Sequence, residues 1–491
     1  MIIQTSPTHI QLIGYESKLS ELKQILTYHD NKKLFELQRF KKNRWLLRGM
    51  SDEDVHARID ELKSQQFVCL LEQTPKGLFT LAGLRDLIAN HFQDFEFKPF
   101  TRPKYSSVGL AYEVPLPFEL RPYQLDAVEK LKAVGHGAVT LATGSGKSLI
   151  SLGLIKELGL QSIIAAPSVN IAWQLFELFE KHLGKKYVGM YGDSKKQLGK
   201  LITVCVAQSL VKMKKDSKAW DHFKNTKVVV ADESHLWAAS TLEKLTLELF
   251  SDVPYRFFVS ATQFRNDGTD LLLDGIIGPI VLDLSVQDLV DQHYLAKPHF
   301  MLVKAASGST YESSDAQRMI NRHLYQNPDL HRKAAGLANY LAKEQGFQVL
   351  VMIDHIEQFK YLEPYFALKP EFAHGGVTEA NKKFVHSSYH KSDTSDLVNR
   401  FNNKEFKILV GTGAVSTGTD FKTVNAILNL QGGKSAVKFT QLVGRGTRLA
   451  PNKEDFFFID FDVDVKMLHN HFKARVKVYK SIYNNIKELN F

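Results

Sequence analysis

The stretch Leu141-Ala142-Thr143-Gly144-Ser145-Gly146-Lys147-Ser148 constrains this chain more than any other. It follows an apolar run, Ala138 to Leu141, and precedes a helix-like run from Leu149 to Leu158. Strand, glycine-rich turn and helix N-terminus, in that order, are the context a phosphate-binding loop needs. Thr143, Gly144, Ser145 and Gly146 would then wrap closely round phosphate oxygens, with backbone N–H groups and the helix dipole facing the anion. Lys147 is expected to reach the β- and γ-phosphates, and the Ser148 hydroxyl to ligate Mg²⁺. The GxxxxGK[ST] pattern departs at its first position, where Leu141 stands in place of glycine. Alone, the stretch also fits a glycine turn before an ordinary helix, so the rest of the chain has to decide.

A second motif decides in favour of phosphate. Val228-Val229-Val230-Ala231-Asp232-Glu233-Ser234-His235 is an apolar strand ending in two adjacent carboxylates and a histidine, with Asp232 eighty-five positions beyond Lys147. At the carboxyl end of a sheet strand, Asp232 can hold Mg²⁺ through water. Glu233 is then placed to orient and deprotonate an attacking water, and His235 to couple this site to the later part of the chain. An isolated Asp-Glu is usually a solvated strand end; following a phosphate loop, it reads as catalytic.

The 491 residues suffice for two to four domains. A hydrophobic share of 44% and a charged share of 24% describe a soluble globular protein. The formal charge of +10 favours a polyanionic partner, most simply nucleic acid. Cys69 and Cys205 lie far apart without a CxxC neighbour, which excludes a disulfide framework and a cysteine-based zinc site. Met1 to Thr5 has no basic segment leading into a long apolar core, and runs such as Val349 to Ile353 are too short to span a bilayer. A soluble cytoplasmic chain with no membrane partner is expected.

Residues 1–115 read as a small accessory α+β domain. Thr8 to Leu12 alternates like a strand, and Glu16 to Tyr28 carries helical spacing. Leu34 to Phe40 and Arg44 to Leu47 read as a hairpin, and Ser51 with Asp54 as the cap of a helix from Val55 to Lys63. Phe67 to Glu72 and Gly77 to Leu81 suggest another hairpin before a helix through Leu84, Leu87 and Ile88. Pro99 to Pro117 reads as a linker. From residue 116 to 297, strands at Ser162–Ala166, Leu201–Val206, Lys227–Ala231 and Phe257–Ser260 alternate with helices, the pattern of a parallel doubly wound sheet. A second such series fills 298–491, with strands at Phe347–Ile353, Phe406–Val410, Ala426–Leu430 and Phe456–Phe461 but no second phosphate loop. One loop shared by two α/β units implies a nucleotide held at their interface.

Two basic stretches stand out. Asn31 to Arg48 holds Lys32, Lys33, Arg39, Lys41, Lys42, Arg44 and Arg48 against Glu36, interleaved with Phe35, Phe40 and Trp45. Cations for phosphates beside aromatics for bases suit a nucleic-acid contact; a solvated basic hairpin whose aromatics face the core fits equally well. Val465 to Lys487 reads as an amphipathic helix packing Leu468, Phe472, Val476 and Tyr479. Its Lys466, Lys473, Arg475, Lys477, Lys480 and Lys487 form a solvated face, with DNA contact as the secondary reading.

In this order the motifs resemble those of superfamily 2 helicases of the DExH type, over about residues 118–462. Arg121-Pro122-Tyr123-Gln124 resembles the motif whose Gln recognises adenine. Lys147 and Ser148 fit motif I; Pro167 and Ser168 with Gln174 resemble motif Ia, and Gln208-Ser209 the next DNA-facing motif. Asp232 to His235 fits motif II and Ser260-Ala261-Thr262 motif III, although Gln263 follows where many relatives have Pro. Val349 to Asp354 resembles motif IV; Gly411-Thr412 through Thr417, Gly418, Thr419 and Asp420 fits motif V; Gln441 to Arg448 fits motif VI. The resemblance makes Arg445 and Arg448 arginine fingers toward a γ-phosphate, with Gln441 in the same motif. His386 and His390 could suggest a metal, but without paired ligand spacing they read as a solvated loop.

The resemblance implies an α/β fold of two tandem RecA-like parallel-sheet domains behind the small α+β domain, with ATP and Mg²⁺ as cofactors. Arg265 to Asp270, Leu289 to Pro298 and the motif VI stretch are similar to the branch containing XPB, UvsW and type III restriction motors, and most to phage UvsW-type branched-DNA helicases. The expectation is a monomeric DNA helicase or translocase that unwinds or branch-migrates forks and Holliday junctions, sequence-independently, in recombination, repair or replication, in a bacterial or phage-host cytoplasm. Pro167, Ser168, Gln208, Ser209 and Thr417 to Thr419 would grip phosphates, with Lys41, Lys42 and Arg44 adding contacts. An RNA helicase and a restriction-type translocating subunit are the alternatives.

Overall fold

A parallel sheet covered on both faces needs strands apolar at every position rather than at every second one. The strands Ser162–Ala166, Ile202–Val206 and Val228–Asp232 are buried at all five positions each. The computed structural model describes residues 1–43, 47–93, 96–106, 119–215, 217–234, 237, 239–261, 270–307, 309–378, 382–389, 393–415 and 421–489. These form two compact units, residues 1–140 with 147–283, and residues 141–146 with 284–491.

In the first unit, β1 (Ile2–Gln4), β2 (His9–Leu12), β5 (Glu72–Thr74), β6 (Gly77–Leu81) and β7 (Phe97–Lys98) make a five-stranded sheet, β5-β6-β2-β1-β7. β3 (Thr27–His29) and β4 (Phe67–Cys69) make a separate antiparallel ribbon. Helices α1 (Asn31–Lys42) and α2 (Asp52–Ser64) lie between them in sequence. The expected hairpin over Leu34 to Leu47 is therefore wrong in its first arm. Leu34, Leu37 and Phe40 recur every three residues on a helix, Leu37 buried and the other two half-buried, while Phe35 and Arg39 are exposed. Arg44 and Trp45 lie outside the described residues. The run Phe67 to Glu72 splits between β4 and β5, and the helix expected to reach Tyr28 ends at Ile25 because Thr27–His29 pairs with β4. Ser51 does cap α2, its hydroxyl accepting from the Asp54 N–H at 3.2 Å.

The larger sheet of this unit contains β8 (His136–Leu141), β9 (Ser162–Ala166), β10 (Val188–Gly192), β11 (Lys195–Lys196), β12 (Ile202–Val206), β13 (Val228–Asp232), β14 (Tyr255–Ser260) and β15 (Ile280–Leu284). Their order is β11-β10-β12-β9-β13-β14-β8-β15. From β10 to β8 every pairing is parallel. One hydrophobic core joins it to the N-terminal residues, with Ile2, Ile10, Leu12 and Leu81 in the same cluster as Ala138, Ile163, Val229 and Phe258. The approach is close: a Cβ at Gly83 would stand 2.0 Å from the Asp274 carbonyl oxygen, and Arg256 at the start of β14 donates to the Pro7 carbonyl.

The second unit holds β16 (Lys297–Ala305), β17 (Val349–Met352), β18 (Glu371–Ala373), β19 (Ile408–Gly411), β20 (Ala426–Asn429), β21 (Asp455–Val463) and β22 (Ile486–Leu489). Their order is β18-β19-β17-β20-β21-β16-β22, with every neighbouring pair parallel. The two tandem RecA-like sheets expected of the chain are both present. The C-terminal helix ends at Ile482, not Lys487, and its successor β22 adds an edge strand beside β16. Arg475, assigned above to the solvated face, is buried; its Nε and Nη2 donate to Asp460 at 2.7 and 3.1 Å.

Candidate active site

Ligands of open α/β sheets sit beyond the carboxyl ends of the strands, where the order reverses. Helix α3 is Pro122–Val134 and α4 is Lys147–Leu158. Strand β8 feeds α4 across two strands to β9, so the chain leaves β14 and β13 between the loop strand and its successor. Register then aligns the motifs: Ser260 pairs with Thr140, Asp232 with Val259, Ala231 with Ala165, and Val206 with Ala166. Asp232, Ser260, Pro167 and Gln208 consequently end adjacent strands on one edge.

On that edge the Lys147 Nζ lies 3.7 Å from the Glu233 Oε1, both largely buried. Burial, then the neighbouring Glu233 carboxylate, raises the Asp232 carboxyl to about 7, while Lys147 and the Glu233 N–H pull it back. Glu233 itself takes φ +46°, a left-handed conformation that an L residue holds only when its surroundings impose it. One such constraint is Trp237, whose Nε1 donates to the Asp232 carbonyl at 3.0 Å. Sequence reading missed Trp237; an aromatic five residues after a carboxylate carries no signal of that bond. His235 lies outside the described residues.

The loop holds Gly144 at φ +90° and Gly146 at φ +81°, and the Ser145 N–H donates to the Ala142 carbonyl at 3.2 Å. Leu141, the departure from the pattern, is fully buried as the last residue of β8, so its side chain packs in the sheet. By its contacts the segment 141–146 belongs to the second unit. Within that unit a Cβ at Gly444 would stand 2.4 Å from the Thr143 Cβ. A Cβ at Gly144 would stand 2.8 Å from the Gly444 carbonyl oxygen and 3.0 Å from the Arg448 Cγ. Glycine at 144 and 444 is what lets the loop and the motif VI helix, α6 (Ala436–Gly446), approach so closely. (Helix α5 is Val169–Leu183.) Gln441 and Arg445 are four residues apart on α6 and share a face, and Arg448 follows one residue after the Thr447 cap. Burial lowers the Arg448 guanidinium to about 10.

Gln124 is buried, and its side-chain oxygen accepts from the Arg121 backbone N–H at 2.9 Å, so it closes the N-terminus of α3 whatever else it meets. Ser168 caps α5, accepting from the Ile171 N–H at 3.4 Å, and Gln208 is exposed beside it on the next strand end. In the second unit, Asp354, His355, Gly375, Gly376 and Thr412 line a cleft of about 470 Å³ at the carboxyl ends of β17, β18 and β19. Asp354 is fixed by the Gly432 N–H at 2.8 Å and by Lys438 at 3.5 Å. Thr417, Gly418, Thr419 and Asp420 lie outside the described residues.

The residues fit a nucleotide and its metal. Thr143 Oγ1 and Ser234 Oγ are buried without a hydrogen-bond partner among the described residues, which leaves hydroxyls for phosphate oxygens or metal-bound water. An amine, a half-buried Ser148 hydroxyl, two carboxylates and positive-φ glycines complete a donor set for a triphosphate with Mg²⁺.

Residues 117–265 match the family described as "Type III restriction enzyme, res subunit", and residues 332–450 match "Helicase conserved C-terminal domain". Together they span more than half of the chain. The chain belongs to the superfamily 2 helicases. This helicase, an ATP-dependent enzyme on nucleic acid, is 22% identical over 456 residues to the proposed helicase 22 of Sulfolobus islandicus filamentous virus, covering 87% of this chain and 78% of that one. It is 30% identical over 179 residues to the DNA 3'-5' translocase XPB2 of Sulfurisphaera tokodaii, covering 36% of this chain and 38% of that one. It spans between 38% and 60% of the length of three XPB-type relatives. The crystal structure of T4 UvsW aligns over 100% of this chain and 99% of its own at 15% identity, with a TM-score of 0.43.

Proposed function

We propose that this helicase is a DNA-stimulated ATPase that moves along one strand, 3'→5', and unwinds or branch-migrates forked and four-way DNA without sequence preference. The observation that carries the ATPase part is the Lys147–Glu233 pair beside Asp232 on the carboxyl edge of the first sheet. Lys147, Ser148 and the loop N–H groups bind the triphosphate, Arg121 and Gln124 the base, and Ser148 with Asp232 hold Mg²⁺. Mg²⁺ held there would supply charge neutralisation for the phosphates. A lysine drawn to phosphate releases Glu233, which orients water and takes its proton. Arg445 and Arg448, with Gln441 and Asp420, answer the charge that develops on the transferred group. His235 and motif III carry the outcome to the strand-gripping residues Pro167, Ser168, Gln208, Ser209 and Thr417 to Thr419.

DNA rather than RNA is favoured by the XPB-type relatives and by the formal charge of +10. A restriction-type motor that translocates without separating strands is the second reading, because the first half of the core matches a restriction-subunit family. Among the described residues no helix is long and apolar enough to cross a membrane, and a monomer in the cytoplasm suits the proposed task. The test is an unwinding assay over linear, forked and four-way DNA of both polarities, with matched RNA and a triplex-displacement control. Fork and junction unwinding lost in Lys147→Ala supports the proposal. Triplex displacement without unwinding selects the motor reading, and ATP hydrolysis that survives Lys147→Ala refutes the site.

A further inference from the structure

Phe35 and Phe67 are 65% and 64% exposed, and the next most exposed large apolar side chains among the described residues, Leu125 and Tyr340, reach only 49%. Both phenylalanines belong to one continuous piece of the N-terminal region. Phe67 lies on β4, paired in register with His29 of β3, and the two rings meet edge-on at 5.1 Å. Two residues after His29 the chain enters α1, and Phe35 is one turn along it. On α1, Phe35, Arg39 and Lys42 fall at i, i+4 and i+7, a single exposed stripe opposite Leu34 and Leu37.

The charge on this stripe is uncompensated. Lys33 pairs with Glu36 at 3.0 Å, but Arg39, Lys41 and Lys42 are exposed with no acidic partner among the described residues. Three of the five acids of α2, which packs on α1, are engaged locally, Asp60 with Lys63 at 2.9 Å, Glu61 with Arg58, and Asp54 with the Ser51 hydroxyl at 2.7 Å, while Asp52 and Glu53 are exposed in its first turn. Free cations select a polyanion. Phenyl rings, which lack any polar handle, select a flat apolar face beside it. In an intact duplex those base faces are stacked away from solvent, and only unpaired or terminal bases present them.

We infer that the β3–β4 ribbon and α1 dock on the branch point of DNA, with Phe35 and Phe67 stacking on bases exposed there and Arg39 and Lys42 on the adjoining phosphates. The inference rests on the branched-DNA reading above and assigns it a specificity element outside the motor. An intact duplex gives the rings nothing to stack on, so they discriminate a branch point from the continuous duplex on either side of it.

The experiment uses the full chain and the Phe35→Ala/Phe67→Ala double variant, both surface truncations, on forks carrying 2-aminopurine at the branch nucleotides, without nucleotide. Wild type should quench the probe at the branch and leave one placed mid-duplex unchanged. The double variant should lose the quench and unwind forks roughly tenfold more slowly, with ATPase on linear single strands within about twofold of wild type. Phe35→Tyr/Phe67→Tyr should restore both. Absence of the quench in wild type, or equal quench and unwinding in the double variant, overturns the inference. So does a wild-type dimer in sedimentation that the double variant dissolves, since the rings would then serve self-association. A wild type that quenches at the branch but unwinds nothing refutes the helicase reading and leaves the docking surface standing.

Discussion

Glu233 combines a left-handed backbone, a lysine partner at 3.7 Å and an aspartate neighbour raised to about 7. The first constrains the backbone from which its carboxylate projects, and the second pairs that carboxylate with the lysine a phosphate would compete for. Glu233→Gln preserves shape and removes the base, so ATP hydrolysis should fall by about 10²–10⁴-fold with nucleotide affinity within a few-fold of wild type. Equal losses of binding and turnover would assign Glu233 to binding instead. A second residue answers to pH. His136 at the start of β8 is buried near Arg256, and burial, then that guanidinium, lowers its pKa from 6.5 to about 3. Folded chain is neutral there while unfolded chain protonates, so the unfolded state binds the extra proton between these values. Stability is therefore complete above 6.5 and declines as pH falls toward 3, by about 1.4 kcal/mol per pH unit from this group. Denaturant titrations of His136→Gln should show a slope against pH shallower by about that amount; an unchanged slope would mean that His136 protonates in the native state.

At the scale of elements, α7 (Lys466–Ile482) shows how a charged residue can hold a helix in place. Asp460 in β21 accepts from Arg475 twice, from the Tyr479 hydroxyl at 2.7 Å and from Asn429 at 2.9 Å. Arg475 also donates to the Gly433 carbonyl at 3.0 Å, shortly before α6 begins. Arg475→Ala leaves the Asp460 carboxylate buried without its cation, and unfolding free energy should drop by about 3–5 kcal/mol. Calorimetry on Arg475→Ala and on the double variant Arg475→Met/Asp460→Leu measures this; a double variant no better than the single would deny that the stranded charge is the cause. Elements like this mark what sequence could and could not say. Strands β9, β12 and β13 were legible because continuous apolar runs between loops have few other uses. The loop, the Asp232–Glu233 pair and the arginines stand out in the sequence as candidates because each is a local pattern at a fixed spacing. Helix α1 was misread because Phe35 to Leu37 fits a two-residue period and Leu34 to Leu37 a three-residue one over so short a run. Arg475 was misread because its partner is fifteen residues away on another element, and Arg256 was invisible because it donates to Pro7, 249 residues away; Trp237 was invisible because its bond goes to a backbone carbonyl, which leaves no mark in the residue pattern.

For the whole molecule, the excess of 63 Lys and Arg over 53 Asp and Glu is small enough that its distribution decides what it does. Buried or locally engaged cations cannot neutralise phosphates: Arg256, Arg475 and Lys453 are buried, and Lys63, Arg58, Lys130 and Arg332 already hold carboxylates. Exposed lysines without an acidic partner among the described residues, such as Lys41 and Lys42, carry a disproportionate share of any long-range attraction for DNA. Each phosphate contact contributes close to one unit to the slope of log affinity against log salt. Neutralising Lys41, Lys42 and Arg44 together should therefore reduce that slope for fork binding by roughly two to three units. Affinity should fall most at low salt and converge with wild type at high salt, while basal ATP hydrolysis stays unchanged because Lys147 and Glu233 are untouched. Fluorescence anisotropy on forks across a salt series reads both quantities. Parallel salt plots, displaced or not, would show that these side chains meet no phosphate, and the nucleic-acid reading of Asn31 to Arg48 would give way to a basic face that only keeps the domain solvated.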